Sequence, residues 1–259
     1  MPLDPSTSRL DGRVAIVTGA AAGIGRATAL ALARFGADVA VCDRNADEVA
    51  TVAEEVESLG RSAHVDVLDV REAALVDAFC VSVHERFSRI DVLVNNAGGG
   101  FYAPFLDVSV KGQSALVREN FDSVTHFLRS AIPFMGEGGS VVNVTSIEAH
   151  RAAPGYAVYS AQKAAIENLT RSLALELGPR RIRINCVAPD VIPTPGIGDL
   201  PGPPRTPLPI RGDVDDVAAA VVFLAGPMAR FVTGTTVHVD GGNLAAGGWH
   251  RLDDGTYRT

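Results

Sequence analysis

The stretch RVAIVTGAAAGIG, residues 13–25, decides how the rest of the chain is read. Its first six residues form an apolar run rich in β-branched side chains, the pattern of a strand buried on both faces. Gly19, Gly23 and Gly25 interrupt the run. They open onto RATALALARF, residues 26–35, which is apolar at helical spacing and stops at Gly36. Strand, glycine turn and helix in that order make half of a βαβ unit. The helix start offers free N–H groups and a positive dipole end, and glycines allow close backbone approach, so the turn suits a pyrophosphate. The spacing is Gly-x3-Gly-x-Gly, not the commoner G-x-G-x-x-G. A glycine turn alone is equally a plain tight loop, and it is the flanking strand and helix that favour the dinucleotide reading.

Outward from this unit the same alternation continues. Strands are expected at Arg13–Thr18, Asp38–Asp43, Ser62–Asp66, Ile90–Asn95, Gly139–Ser146, Ile182–Val187 and Thr235–Val239. Helices are expected at Gly23–Phe35, Ala46–Leu59, Arg71–Phe87, Gly112–Met135, Gly155–Leu177 and Val214–Ala225. Strands separated by helices of this length predict an α/β fold, a parallel sheet with helices on both faces. No composition break divides the chain. It reads as a single domain over 1–259, with a short N-terminal extension over 1–9 and a Gly-rich tail over 244–259. Pro193–Ile210 holds seven prolines and is neither regular helix nor central strand.

The 259 residues are 47% hydrophobic and 20% charged, which excludes a disordered chain. Net charge is −7, which argues against nucleic acid as a partner. The apolar stretch Val14–Val41 is broken by glycines and charges and predicts no membrane span. The N-terminus has neither a basic region nor an apolar one, so no secretory signal is expected and the protein is expected in the cytoplasm. Cys42, Cys80 and Cys186 have no paired spacing and read as buried thiols. The six histidines (64, 84, 126, 150, 238 and 250) show no ligand spacing, so no metal site is expected. Only Lys111 and Lys163 are lysines among 23 basic residues, an arginine bias typical of GC-rich bacterial genomes.

Asp43 ends the second strand, 18 residues beyond Gly25, where an acidic residue bonds the adenosine ribose and repels a 2′-phosphate. This points to NAD rather than NADP. Arg44 turning inward would reverse it, and a mere helix cap is the plain alternative. Tyr159 and Lys163 stand at i and i+4 on one helix face. A nearby ammonium stabilises a phenolate, lowers its pKa and makes tyrosine a usable acid or base. In a chain that uses arginine nearly everywhere else, Lys163 suggests a need for a compact ammonium. Ser146 closes the fifth strand, 13 residues before Tyr159, at the sheet end that faces a ligand crevice. Glu148 and His150 either line that crevice or lie on a solvated loop, and Phe101, Tyr102 and Phe105 either wall it or simply pack.

Taken together, Thr18–Gly25, Asn95-Asn-Ala-Gly98, Asn120, Ser146, Tyr159 and Lys163 resemble the short-chain dehydrogenase/reductase family, over roughly Leu10 to Asn243. The resemblance implies a three-layer, Rossmann-type doubly wound parallel sheet of seven strands in the order 3-2-1-4-5-6-7. It implies hydride transfer between a nicotinamide and a secondary alcohol or ketone. By resemblance Tyr159 is the general acid/base and Ser146 polarises the reacting oxygen. Lys163 lowers the tyrosine pKa and bonds the nicotinamide ribose, and Asn120 holds a water in the relay to Lys163. The cofactor set comprises Gly19, Gly23, Ile24, Gly25, Asp43, Asp66, Val67, Asn95, Ala97, Gly98, Pro189, Ile192 and Thr194, with Tyr159 and Lys163. Asp66-Val67 matches the adenine contact, and Ile192 and Thr194 match the carboxamide contacts. The family's glycine after Pro189 is Asp190 here, which raises the question of a strained backbone.

The resemblance also implies a tetramer. Ile166, Leu169, Leu173 and Leu177 form a stripe that would pair helices across a two-fold axis. The leading expectation is an NAD-dependent alcohol dehydrogenase or ketone reductase. The alternatives are an NADP-dependent 3-oxoacyl-thioester reductase, for which Arg151, Arg205 and Arg211 are the basic candidates, and a non-catalytic dinucleotide sensor.

Overall fold

In the computed structural model, residues 4–198, 202, 206–252 and 255–258 are described. Seven strands pair in parallel: β1 (Val14–Thr18), β2 (Asp38–Asp43), β3 (Ala63–Val67), β4 (Ile90–Asn95), β5 (Met135–Val144), β6 (Arg183–Pro189) and β7 (Thr236–Val239). Their order is β3-β2-β1-β4-β5-β6-β7. The crossovers are α1 (Gly23–Arg34), α2 (Ala46–Ser58), α3 (Ala73–Phe87), α4 (Val110–Val117) followed by α5 (Ser123–Ala131), α6 (Ala157–Leu177) and α7 (Val214–Ala225).

Strand alternation divides the core in two. Ala15, Val17, Val39, Val41, Val92 and Val142 pack under α1, α2 and α7. Val14, Ile16, Ala40, Cys42, Leu93 and Val141 pack under α3, α5 and α6. Both strand faces are therefore buried, which is why the central strands read as unbroken apolar runs. The chain reverses direction along the sheet between β1 and β4, and the C-terminal ends of those strands open a crevice there.

Three expectations are corrected. The helix expected over Gly112–Met135 is two helices joined by a π-helical turn, Arg118–Asp122, and it ends at Ala131. β5 begins early, at Met135, with a register shift against β4 between Ile90 and Val92. The Ile166–Leu177 stripe does not project outward. Ile166 and Leu177 are buried, and Leu169 and Leu173 pack on the chain's own core. In the tail, the described residues form α8 (Asn243–Ala246) and an antiparallel hairpin of β8 (His250–Arg251) with β9 (Tyr257–Arg258).

Candidate active site

The crevice at the β1/β4 switch is a cleft of ≈970 Å³. Its floor is the glycine turn. Gly19 has φ +64°, and a Cβ on Gly25 would stand 2.1 Å from the Gly19 carbonyl oxygen, so helix and loop meet there backbone to backbone. The first residues of α1 have no side-chain cap, leaving their N–H groups for an anion. Asn96 fastens the turn to β4: its Nδ2 donates to the carbonyls of Thr18 (3.0 Å) and Gly19 (3.1 Å). Thr18 Oγ1 in turn accepts from the N–H groups of Asn96 and Ala97.

Asp43 lines the cleft at the end of β2. Its Oδ2 accepts from Ala21 N–H (3.1 Å) and its Oδ1 from Asn45 N–H (3.0 Å). The carboxylate is thus held against the glycine turn, and the cap of α2 is Asn45 instead. Arg44 also lines the cleft, with Nη2 3.6 Å from Glu119 Oε1, another lining residue.

On the opposite wall stand Ser146, Tyr159 and Lys163. Lys163 is buried on α6; its Nζ donates to Val144 O (3.0 Å) and lies 5.5 Å from the Tyr159 ring centre. Loss of hydration pulls the ammonium down to about 8, against a weaker upward pull from Cys186 and Glu119. The Tyr159 phenol moves the other way. Burial raises it, Glu148 adds to the rise, and a hydrogen bond with Ser146 opposes them. The net direction is the reverse of the lowering expected from Lys163, because desolvation of the phenolate outweighs the other influences.

Asn120 is fully buried in the π-helical turn. Its Nδ2 donates to Gly99 O (2.8 Å) and Leu116 O (3.0 Å), and its Oδ1 accepts from Gly99 N–H (3.2 Å). Both amide hydrogens are taken, so for a water the carboxamide has only a second lone pair on Oδ1. The side chain's visible work is to clamp the Gly98–Gly99 segment.

A family model described as enoyl-(acyl carrier protein) reductase matches residues 19–243. The chain belongs to the short-chain dehydrogenase/reductase family. It is 35% identical over 242 residues to the 3-oxoacyl-[acyl-carrier-protein] reductase FabG of Thermotoga maritima, covering 90% of this chain and 98% of that one. Among solved structures it is similar to a 7α-hydroxysteroid dehydrogenase complexed with NADH and 7-oxo glycochenodeoxycholic acid. There the TM-score is 0.89 at 34% identity, over 93% of this chain and 98% of that one. It is also similar to a short-chain dehydrogenase from Burkholderia cenocepacia J2315 in complex with NADP, with TM-score 0.86 at 36% identity over 90% and 98%. As a member of this family the protein is an NAD(P)-dependent oxidoreductase acting on CH–OH or C=O groups.

In this short-chain dehydrogenase/reductase, Gly19, Gly23, Ile24, Asp43, Ala97, Gly98, Pro189, Ile192 and Thr194 all line the cleft. Gly25 lies beneath it. Asn95 does not reach it; buried in the sheet, its Nδ2 donates to Asn143 Oδ1 (2.8 Å). Asp66 and Val67 are exposed and outside the lining, whereas Leu68 and Val70, just beyond them, line the cleft. The chain has two Asp-Val pairs three residues apart, and only the turn of the chain past the end of β3 brings the second to the cleft. Asn96 was equally hidden: nothing in Asn95-Asn96 says which amide faces the turn. Glu148 lines the cleft, whereas His150 turns to Glu167. Phe101 and Phe105 line a small separate pocket behind Tyr159. Asp190 has no positive φ, so the question of strain disappears. It accepts from Asn243 Nδ2 (2.7 Å) and lies 3.8 Å from Arg151. Trp249 is half exposed and not part of the cleft. Among the described residues no helix is long and apolar enough to cross a membrane and no His, Cys, Asp or Glu group is set to hold a metal.

Proposed function

We propose that this enzyme interconverts a secondary alcohol and its ketone with NAD(H), working in the cytoplasm as a homo-tetramer. The observation that carries the reading is the convergence of Ser146, Tyr159 and Lys163 on one wall of a cleft whose floor is an open glycine turn. The residues fit a dinucleotide: a Cβ on Gly25 has no room, and the uncapped start of α1 is free for an anion. Asp43 receives the adenosine ribose, Leu68 and Val70 flank the adenine, and Ile192 and Thr194 hold the carboxamide end.

A bound nicotinamide supplies the hydride donor or acceptor. The chain's own groups manage the proton and the oxygen. Ser146 donates to the substrate oxygen and holds it beside the Tyr159 phenol. In reduction Tyr159 gives its proton to that oxygen; in oxidation it removes it. A phenol raised by burial keeps its proton at neutral pH, which suits the reductive role. Lys163, anchored on Val144 O, faces the phenolate as it forms. Asn120 holds Gly98–Gly99 against this group.

NAD is preferred because Asp43 is pinned where a 2′-phosphate would meet its carboxylate, while Arg44 leans to Glu119. The thioester reading has less support. Arg151 is engaged by Glu148 (2.8 Å) and by Asp190, Arg211 donates to Gly202 O, and Arg205 lies outside the described residues. The test is kcat/KM with NAD(H) and NADP(H) across a panel of secondary alcohols, ketones and 3-oxoacyl thioesters. NADP(H) preference together with selective thioester turnover would overturn the proposal.

A further inference from the structure

Glu167 lies on α6, one turn beyond Lys163 and two beyond Tyr159, and its side chain is 4% exposed. A carboxylate removed from water is unfavourable unless it is well bonded, and an aliphatic side chain would fill such a face without that penalty. Here Oε1 accepts from Thr145 Oγ1 (3.1 Å) and from His150 Nε2 (2.8 Å). These two partners bracket Ser146. Thr145 directly precedes it, and His150 closes the short turn Ile147–Ala149 that follows it. The His150 ring also packs edge-on against His238 of β7, 4.5 Å between centres, which aims Nε2 inward.

The same face of α6 is tied to β5 at two further points, by Lys163 Nζ to Val144 O (3.0 Å) and by Asn143 Nδ2 to Thr170 Oγ1 (2.9 Å). Residues 163, 167 and 170 of the helix thus engage residues 143–145 in a ladder whose next rung is Tyr159 with Ser146. The two reacting hydroxyls belong to different elements, so their separation depends on this register. The Lys163 and Thr170 rungs stop short of Ser146; Glu167 grips the chain on both sides of it, sharing the Thr145 hydroxyl with Val187 O (3.2 Å). Neither Glu167 nor His150 lines the cleft.

We propose that Glu167 is a positioning residue that, through Thr145 and His150, holds the Ser146 segment against α6 and so sets the contact between Ser146 and Tyr159. This rests on the assignment of Ser146 and Tyr159 as the acting pair. The ionisable neighbours of Glu167 are His150, Lys163 one turn back and Cys186 of β6; those of Tyr159 are Lys163 and Glu148.

The test compares Glu167→Leu, Glu167→Gln and His150→Phe in the full-length enzyme. Steady-state kinetics are read against pH, and NADH binding is followed by fluorescence. Glu167→Gln keeps an acceptor oxygen and should hold kcat within about twofold, whereas Glu167→Leu and His150→Phe should lose about tenfold or more in kcat with NADH affinity unchanged. The limb of the oxidation profile that reports the phenol should move to higher pH in both, because a loosened Ser146 bond no longer lowers the phenol. In a Ser146→Ala background neither variant should add a further loss. Wild-type kcat and an unmoved limb in these variants would overturn the proposal, and so would losses that persist undiminished in Ser146→Ala. Should Glu167→Leu not fold, His150→Phe, at a partly exposed position, decides by the same criteria. Full turnover by Ser146→Ala and Tyr159→Phe would instead overturn the assignment of the acting pair, and this proposal with it.

Discussion

Tyr159 and Lys163 are both pushed by burial toward their neutral forms, the phenol upward and the ammonium down to about 8. Tyr159→Phe keeps the ring and removes the proton, so kcat should fall ~10²–10⁴-fold while NADH titration shows binding intact. For Lys163 the sign is worked from proton uptake. Its folded value lies below the ordinary 10.5, so between about 8 and 10.5 the unfolded chain binds more protons, and this group makes stability rise with pH there. Below that window the folded enzyme carries a desolvated cation. Lys163→Met should therefore be inactive yet melt higher than wild type at pH 7, and the gap should close as pH rises toward 10.5. Calorimetry across that range checks it; a variant that melts lower at every pH contradicts it. Asp43→Ala should erode the preference for NAD(H), read as the ratio of kcat/KM for the two cofactors. A preference for NADP(H) in the wild type would point to Arg44 instead.

Among elements, the glycine turn and α1 form the tightest junction. Gly25→Ala places a methyl against the Gly19 carbonyl and Asn96 Nδ2, so turn and helix must separate. Dinucleotide affinity should fall at least about tenfold, or 1.4 kcal/mol, by fluorescence titration, while circular dichroism stays that of the folded chain. The π-helical turn at Arg118–Asp122 is the element that periodicity could not show. One extra residue in a turn leaves the apolar spacing on either side nearly unchanged, yet it buries the Asn120 side chain against Gly99. The same insensitivity explains the tail. Four residues of helix and two short strands carry too little pattern to be separated from coil.

At the scale of the whole molecule, the tail is anchored through Asn243 to Asp190, the residue that replaces the family's glycine. Among the described residues, none beyond Asn243 lines the cleft. Truncation after Asn243 should therefore leave the substrate KM unchanged, and a raised KM would show that the hairpin reaches the substrate. The exposed apolar residues Phe101, Tyr102, Phe105, Leu106 and Val110 gather around α4, whereas the α6 stripe is spent on the chain's own core. For the proposed tetramer, light scattering at micromolar concentration should give four times the 27.1 kDa chain mass; a monomer mass would contradict it.

Residues 13–25 alone were enough to imply strand, turn and helix, because buried parallel strands and glycine junctions leave local signatures. Repeated along the chain, that pattern determined the α/β alternation, whereas the sheet order came only from the resemblance to the family. The spacing of Tyr159 and Lys163 likewise placed two side chains on one helix face by geometry internal to the helix. What required the tertiary structure were choices between neighbours in sequence. Asn95 or Asn96 at the turn, Asp66-Val67 or Leu68 and Val70 at the cleft, and His150 in the cleft or on Glu167 differ only in which way a short segment turns after its strand ends. The direction of the Tyr159 shift was undecidable for the same reason. It depends on how much water the surrounding elements exclude, and no spacing along the chain encodes that.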